Sequence, residues 1–328
     1  MARKVTAQDV AERAGVSRAA VSRAFRSDRS LSDDKRARVL DAARALGYAS
    51  PSAQAVASVT TGTVTLVAGD LENPFYPVAA AELSRALHAA GRRLVLHAVP
   101  PDQDVDAVLE QVLDYRSDAA IVTSAHMSSR IARACREAGM PVILFNRVQP
   151  DAAMTAVTCD NYAGGRLAAQ HFAAMGRTRI AMIGGDASTS THLERSRGFR
   201  DALADRGLNL SQTPSGAFRY DLAFAAARSL FAGARRPDAV FALNDIMALA
   251  TLDAAREAGL SVPEDVAIIG FDDIPMADWP SYRLTTLRQP LRRMVAETLD
   301  LIDAQKADPG VGGTIRILPV EMIRRDTA

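Results

Sequence analysis

From residue 64 onward, short continuous apolar runs alternate with stretches of helix length, in two successive series. The first comprises Val64-Thr65-Leu66-Val67-Ala68, Arg93-Leu94-Val95-Leu96-His97, Ala119-Ala120-Ile121-Val122 and Val142-Ile143-Leu144-Phe145. The second comprises Ile180-Ala181-Met182-Ile183, Ala239-Val240-Phe241-Ala242-Leu243 and Val266-Ala267-Ile268-Ile269. A strand without polar alternates buries both faces, the condition of a parallel sheet covered by helices on either side. Two series therefore predict two α/β lobes, each a doubly wound parallel sheet. Ligands of such sheets gather at the carboxyl ends of the strands. A cleft between two lobes suits a small polar molecule.

Polar residues recur at those ends. Asp70 and Asn73 follow the first run, Asn146-Arg147 the fourth, Asp160-Asn161 lie where the series meet, and Asn244-Asp245 and Asp272-Asp273 belong to the second. A carboxylate accepts two hydroxyls, an amide donates and accepts, and an arginine donates in a planar fork, so the set fits a carbohydrate. Phe75, Tyr76, Phe218 and Trp279 offer apolar walls. Each acid taken singly also reads as a cap for the next helix, and only their joint placement points to a ligand. The five histidines (His88, His97, His126, His171, His192) show no metal-ligand spacing, no Gly-x-Ser-x-Gly elbow occurs, and Gly184-Gly185-Asp186 lacks the rest of a phosphate loop. No enzyme, metal site or cofactor is expected.

The first fifty residues differ in kind. They carry eleven Lys/Arg against six Asp/Glu, a net +5, while the rest has 28 against 32, or −4, so the overall +1 conceals a basic head on a mildly acidic body. That asymmetry suits a polyanion-binding unit attached to a larger one with another task. At 48% hydrophobic and 23% charged residues, neither a disordered nor a fibrous chain is expected. No apolar run approaches the roughly 20 residues that span a bilayer, and no apolar region follows the charged opening Met-Ala-Arg-Lys as a secretory signal requires. The expected place is the cytoplasm, in association with the nucleoid, with no membrane partner. Cys135 and Cys159 sit among apolar residues and read as packing groups.

Within the head, Thr6-Ala7-Gln8-Asp9 makes an N-cap with an acid in the first turn, and Val10, Ala11 and Ala14 share one helical face until Gly15. Ser17 caps a second helix, in which Val21 and Phe25 fall four apart, and a third runs from near Ser32 through Val39, Leu40, Ala43 and Leu46 to Gly47. Two short helices joined by a glycine turn form a helix-turn-helix. Placed in a major groove, the second helix would turn its N-terminal residues to the base edges. Arg18, Ala19, Ser22 and Arg23 are then the readers: arginine can pair guanine through two hydrogen bonds, while Ala19 and Ala20 offer only apolar contact, as to a thymine methyl. Arg26 and Arg29 suit phosphates.

The run Val5-Thr6-x-x-Asp9-Val10-Ala11-x-x-Ala14-Gly15-Val16-Ser17-x-x-x-Val21-Ser22-Arg23, with Ser32, Arg36, Val39 and Leu46-Gly47-Tyr48, resembles the opening of the lactose and galactose repressor family. Asn73-Pro74-Phe75-Tyr76, Asp160-Asn161 with Gly164-Gly165, Arg195-x-x-Gly198-Phe199, Asn244-Asp245, Gly270-Phe271-Asp272-Asp273 and Leu284-Thr285-Thr286-Leu287-Arg288-Gln289-Pro290 are similar to its effector-domain signatures.

The resemblance implies an all-α helix-turn-helix head over 1–48, a hinge over 49–62, and a periplasmic-binding-protein-like body over 63–328. Its first lobe would span about 63–160 and 291–314. The second would span about 161–290 and 315–328, with three crossings and a last strand from Ile315 to Ile323. It implies DNA contacts from Thr6, Ser17, Arg18, Ala19, Ala20, Ser22, Arg23 and Arg26, with operator preference set at Arg18 and Ala19. Effector is expected on Arg195, Asn244 and Asp272, flanked by Phe75, Asn146, Phe218 and Leu291, with Asp70 from its strand end and Trp279 from proximity.

Two departures stand out. Arg26 replaces the family's usual Asn, and no Leu occurs between Leu46 and Leu66 to wedge into a minor groove, which leaves Val56 or Val59 for that task. The implied protein is a transcription regulator, a repressor by family habit, that binds a near-palindromic operator as a homodimer, with a tetramer left open. Its effector would be a sugar or sugar derivative. A free periplasmic sugar-binding protein shares such a body, but the DNA-binding head and the missing signal peptide weigh against it.

Overall fold

The computed structural model describes residues 5–24, 33–46, 48, 61–99, 104–123, 127–149, 154–308 and 313–328. The chain divides into two compact units, Met1–Thr61 and Gly62–Ala328. Arg26, the side chain of Arg23, and the hinge residues Val56 and Val59 lie outside what is described.

In the first unit, helix α1 (Ala7–Ala14) opens with a reciprocal cap: the Asp9 amide donates to Thr6 Oγ1 at 3.4 Å, and the Thr6 amide donates to the Asp9 carboxylate at 2.7 Å. It ends at Gly15, whose φ of 64° is left-handed backbone that a side chain would strain. Ser17 Oγ then accepts from the Ala20 amide at 3.2 Å and starts α2 (Arg18–Ala24). The third helix, α3 (Asp33–Leu46), lends Arg38, which donates to the Ala14 carbonyl at 2.6 Å and ties α3 to the end of α1. Val10, Ala11, Ala14, Val21, Ala24, Val39, Ala42 and Ala43 form the core between them, and Ala20 is buried there as well.

The second unit holds two six-stranded sheets. The first contains β1 (Thr63–Ala68), β2 (Arg93–Ala98), β3 (Ala119–Val122), β4 (Val142–Phe145), β5 (Thr155–Cys159) and β11 (Ile315–Leu318), in the spatial order β2-β1-β3-β4-β5-β11. The second contains β6 (Ile180–Ile183), β7 (Leu210–Gln212), β8 (Ala239–Ala242), β9 (Ala267–Asp272), β10 (Thr285–Arg288) and β12 (Glu321–Ile323), in the order β7-β6-β8-β9-β10-β12. Every adjacent pair is parallel except β10 with β12. The order reverses between β1 and β3 and again between β6 and β8, so each lobe has a switch point where helices leave to opposite faces and a crevice opens. All seven apolar runs read from the sequence are strands.

Helices α4 (Phe75–Ala89), α5 (Val105–Asp114), α6 (Ser129–Glu137) and α11 (Leu291–Ala307) accompany the first sheet. Helices α7 (Asn161–Ala174), α8 (Ser190–Ala204), α9 (Tyr220–Ala232) and α10 (Asp245–Glu257) accompany the second. Three passes of the chain join the lobes, after β5, after β10 and after β11. The first leads into α7 of the second lobe, and the second leads into α11, which packs on β4 and β5 of the first. Among the described residues no helix is long and apolar enough to cross a membrane.

Two expectations fail. The run 315–323 is not one strand of the second lobe, because Pro319 lacks the N–H a ladder needs. The chain pairs Ile315–Leu318 with β5 in the first sheet, then crosses to pair Glu321–Ile323 with β10 in the second. The first lobe thus extends to Leu318. The run 93–97 is a strand but is not buried on both faces: β2 is an edge, and Val95 and Leu96 are exposed.

Candidate functional site

In the head, Ser17, Arg18, Ala19 and Ser22 are exposed along the start of α2, as groove-facing residues must be. Thr6 is exposed, with its hydroxyl engaged in the α1 cap. Ala20 is a correction: the residue is 7% exposed and packs in the head core, because it shares the helical face of Ala24. It cannot also reach a thymine.

In the body, the residues expected at the strand ends converge where the lobes meet. Arg195, on α8, is 2% exposed and acts as a hub. Its Nε donates to Asn161 Oδ1 at 2.8 Å, Nη1 to the Leu243 carbonyl at 2.5 Å and Nη2 to Asp272 Oδ1 at 3.2 Å, while its guanidinium lies 3.6 Å from the centre of the Phe271 ring. Asp272 also accepts from Gln289 Nε2 at 2.8 Å. Burial pushes the Asp272 carboxyl above the usual carboxylate range, while Arg195 and Gln289 pull it back down. Breaking such a buried pair by deleting one partner costs about 3–5 kcal/mol.

Asn146 and Arg147 extend from β4 on the first lobe. Arg147, 7% exposed, donates through Nη1 to Thr191 Oγ1 on the second lobe and lies 5.7 Å from the Phe218 ring centre. Asn146 lies beside Tyr76, whose hydroxyl is pushed up by burial. Asp70 is half-buried: burial raises its carboxyl, opposed by the Asn73 amide at 3.1 Å and by Arg147. Asn244 caps α10, its Oδ1 accepting from the Met247 amide at 3.1 Å.

Four buried polar atoms of this cluster have no hydrogen-bond partner: Asn146 Oδ1, Arg147 Nε, Asn244 Nδ2 and Gln289 Oε1. Two accept and two donate, which is what a hydroxyl-rich molecule, able to do both, would satisfy. Asn146 (φ 61°), Phe218 (φ 61°), Asp272 (φ 117°) and Asp273 (φ 55°) all hold left-handed backbone. Such positions cost about 1–3 kcal/mol each and cluster where function demands a particular geometry.

A cavity of about 590 Å³ adjoins the cluster through Asp272 and Gln289, walled by Phe75, Val78, Ile274 and Leu291. Phe75, Asp272 and Leu291 thus line it, whereas Asp70, Asn146, Arg195, Phe218 and Asn244 belong to the buried polar cluster behind. Trp279 joins neither. The residue is 53% exposed after the 3-10 turn Pro275–Asp278, and the Tyr282 and Arg283 amides donate to its carbonyl in a closed turn. Gln289 and Thr191 are additions that the strand-end pattern did not yield. Gln289 directly follows the carboxyl end of β10, the signal that marked the other residues; Thr191 looks like an ordinary residue of a helical first turn. Among the described residues no cluster of three His, Cys, Asp or Glu side chains is placed to hold a metal.

The helices behind the hub explain the glycines of the sequence signatures. A Cβ on Gly165 would lie 2.1 Å from the Arg195 carbonyl oxygen, and one on Gly198 would lie 2.0 Å from that of Tyr162. Only glycine lets α7 and α8 approach so closely, and that approach sets the height at which Arg195 enters the cluster.

Residues 6–51 match the bacterial regulatory proteins of the lacI family, and residues 169–328 match the periplasmic binding protein-like domain. The HTH-type transcriptional regulator DegA of Bacillus subtilis is 32% identical over 302 residues, covering 90% of this chain and 89% of that protein. The ribose operon repressor of Escherichia coli is 32% identical over 303 residues, 90% of this chain and 92% of the repressor. Among solved structures, the complex of the transcriptional regulator CelR with cellobiose is similar at 30% identity and a TM-score of 0.73, over 99% of this chain and 100% of that one.

Proposed function

Because the chain belongs to the lacI family of bacterial regulatory proteins, we propose that it is a repressor whose hold on its operator is set by a small polyhydroxylated effector bound between the lobes of the body. It is a DNA-binding transcription regulator and not an enzyme. The exposed leading edge of α2 supports operator recognition, with Arg18 and Ala19 facing the bases and Ser22 one turn further along the helix. Two heads, from a homodimer, would read the halves of a near-palindromic site about one helical turn or a little more apart.

The observation that carries the effector reading is the set of four unpartnered buried atoms around the Arg195–Asp272 pair, two donors and two acceptors from both lobes and a crossover. A sugar fits that donor set. Support comes also from CelR, a relative solved with cellobiose, and from the ribose operon repressor. Effector that closes the cleft shifts the lobes and so the spacing of the heads, a coupling on the order of 1–3 kcal/mol.

The test has two stages. Selection from randomised duplexes with the full chain should recover a near-palindromic sequence, and a panel of pentoses, hexoses and disaccharides should contain one that raises thermal stability and lowers affinity for it. Arg195→Ala should lose that response while the head still binds DNA. Equal binding of selected and random duplexes at moderate salt would refute the reading, as would turnover of the sugar.

A further inference from the structure

We infer that Thr191 is a positioning residue which holds the Arg147 guanidinium across the cleft, so that ligand recognition and the closed relation of the two lobes are one event. The inference rests on the effector site proposed above but not on the identity of its ligand.

Arg147 follows β4 of the first lobe, and Thr191 lies in the first turn of α8 of the second. Arg147 is buried, yet it has no salt bridge among the described residues. Its Nη1 is held by the Thr191 hydroxyl, its plane lies near Phe218, also of the second lobe, and its Nε has no partner. A buried guanidinium is costly to desolvate and stays in place only where neighbours fix it. Here the two groups that touch it, Thr191 and Phe218, belong to the other lobe, while Asp70 of its own lobe acts on it only through its charge. One residue further on, the Val148 amide donates to Ser190 Oγ at 3.0 Å, so consecutive residues of one loop bond consecutive residues of one helix end across the cleft.

Thr191 itself is 2% exposed, and its hydroxyl is oriented by donation to Thr189 Oγ1 at 3.3 Å. Thr189 Oγ1 in turn donates to the Asp186 carbonyl at 2.7 Å. This chain of hydroxyls fixes the acceptor that faces Arg147. With Nη1 so engaged, Nε remains a buried donor without a partner, available to a ligand that reaches it. Separation of the lobes would withdraw that donor and break the bridge together.

The inference is tested by hydrogen–deuterium exchange on the full chain without DNA or added ligand, so a failed effector screen leaves the result readable. Wild type is compared with Thr191→Val, which keeps the shape and removes the acceptor, and Thr191→Ser, which keeps the hydroxyl. Exchange in the peptide containing Val148 should rise about tenfold or more in Thr191→Val, tenfold being the low end of the net value of a hydrogen bond to a charged group. It should return to the wild-type rate in Thr191→Ser, with strand 239–242 unchanged in all three. Equal exchange at Val148 in the three proteins overturns the inference. So does faster exchange of strand 239–242, or a failure of Thr191→Ser to restore the rate, since either marks Thr191 as a packing residue. Should Thr191→Val not fold, Arg147→Met cuts the same bridge from the other end and is read by the same outcomes.

Discussion

Replacement of Asp245 by asparagine should stabilise the body at neutral and alkaline pH and remove a slope from its pH–stability profile. Asp245 is fully buried at the start of α10. Its carboxyl group is hydrogen-bonded to Thr286 Oγ1 at 2.5 Å and to the Ile274 amide at 2.8 Å, and no salt bridge reaches it among the described residues. Burial, with Asp272 and Asp273 repelling, holds the carboxyl well above its ordinary 3.8. The native state therefore keeps a proton that the unfolded chain releases. Between the unfolded and the folded pKa the native state binds more protons, so stability falls as pH rises, by about 1.4 kcal/mol per pH unit.

The Asp245→Asn side chain would lose nothing in geometry: its oxygen accepts from the Ile274 amide, and its NH2 donates to Thr286 Oγ1. Urea titrations from about pH 4 to about pH 8, read by the fluorescence of the single tryptophan Trp279 in the second lobe, should give similar stabilities at the acid end. The gap in favour of Asp245→Asn then widens at about 1.4 kcal/mol per unit until the folded carboxyl ionises. Parallel profiles, or an asparagine variant less stable than wild type at the alkaline end, would refute a buried neutral Asp245, and with it the view that this residue is scaffold for Asn244 and Asp272.

Gly198→Ala places a methyl carbon 2.0 Å from the Tyr162 carbonyl oxygen, a backbone atom with no rotamer to retreat into. The body should lose about 3 kcal/mol or more in the same urea titration, at the upper end of overpacking costs, and an unchanged midpoint would mean that α7 and α8 can part freely. Arg18→Ala should weaken the selected duplex by about 1–3 kcal/mol and leave random duplex nearly unaffected in competition binding. Equal losses on both would make Arg18 a phosphate contact.

Periodicity and strand-end polarity made the body legible, because strands buried on both faces leave continuous apolar runs and ligand groups sit where those runs stop. Burial that does not show in composition left no such mark. Thr155–Cys159 is wholly buried but reads Thr-Ala-Val-Thr-Cys, and Thr285–Arg288 owes its strand to pairing with β9 rather than to an apolar run. The segment 315–323 is apolar enough for one strand, and only Pro319 and the free edge of β5 divide it. At the site, residue types at strand ends found Asn146, Asn244 and Asp272, whereas Ala20 and Trp279 depended on which side of a helix or turn faced inward. Thr191 acquires meaning only through Arg147, 44 residues away, and no local pattern records such a contact.

If an effector occupies the cleft as proposed, the position of the polar cluster gives it a hold on both lobes. Three passes of the chain join the lobes, so any relative rotation must be absorbed near residues 160, 289 and 319. Two of these passes are bonded directly into the cluster. Asn161, just after the first crossing, accepts from Arg195 Nε, and Gln289, at the second, donates to Asp272. Arg195 and Asp272 are themselves paired, so the first and second connections are tied through one ion pair held between α8 and the end of β9. A ligand that satisfies Gln289 Oε1, Asn244 Nδ2 or Arg147 Nε therefore acts on the pivots and on the facing walls together. Because packed interiors switch between discrete arrangements rather than deform continuously, small ligand-induced changes at such pivots would be resolved as a change of lobe angle. Arg195 serves this arrangement chiefly through protein partners, since its three hydrogen bonds end on Asn161, Leu243 and Asp272. Its removal should thus uncouple the lobes from the cleft even under a ligand concentration high enough to fill the site.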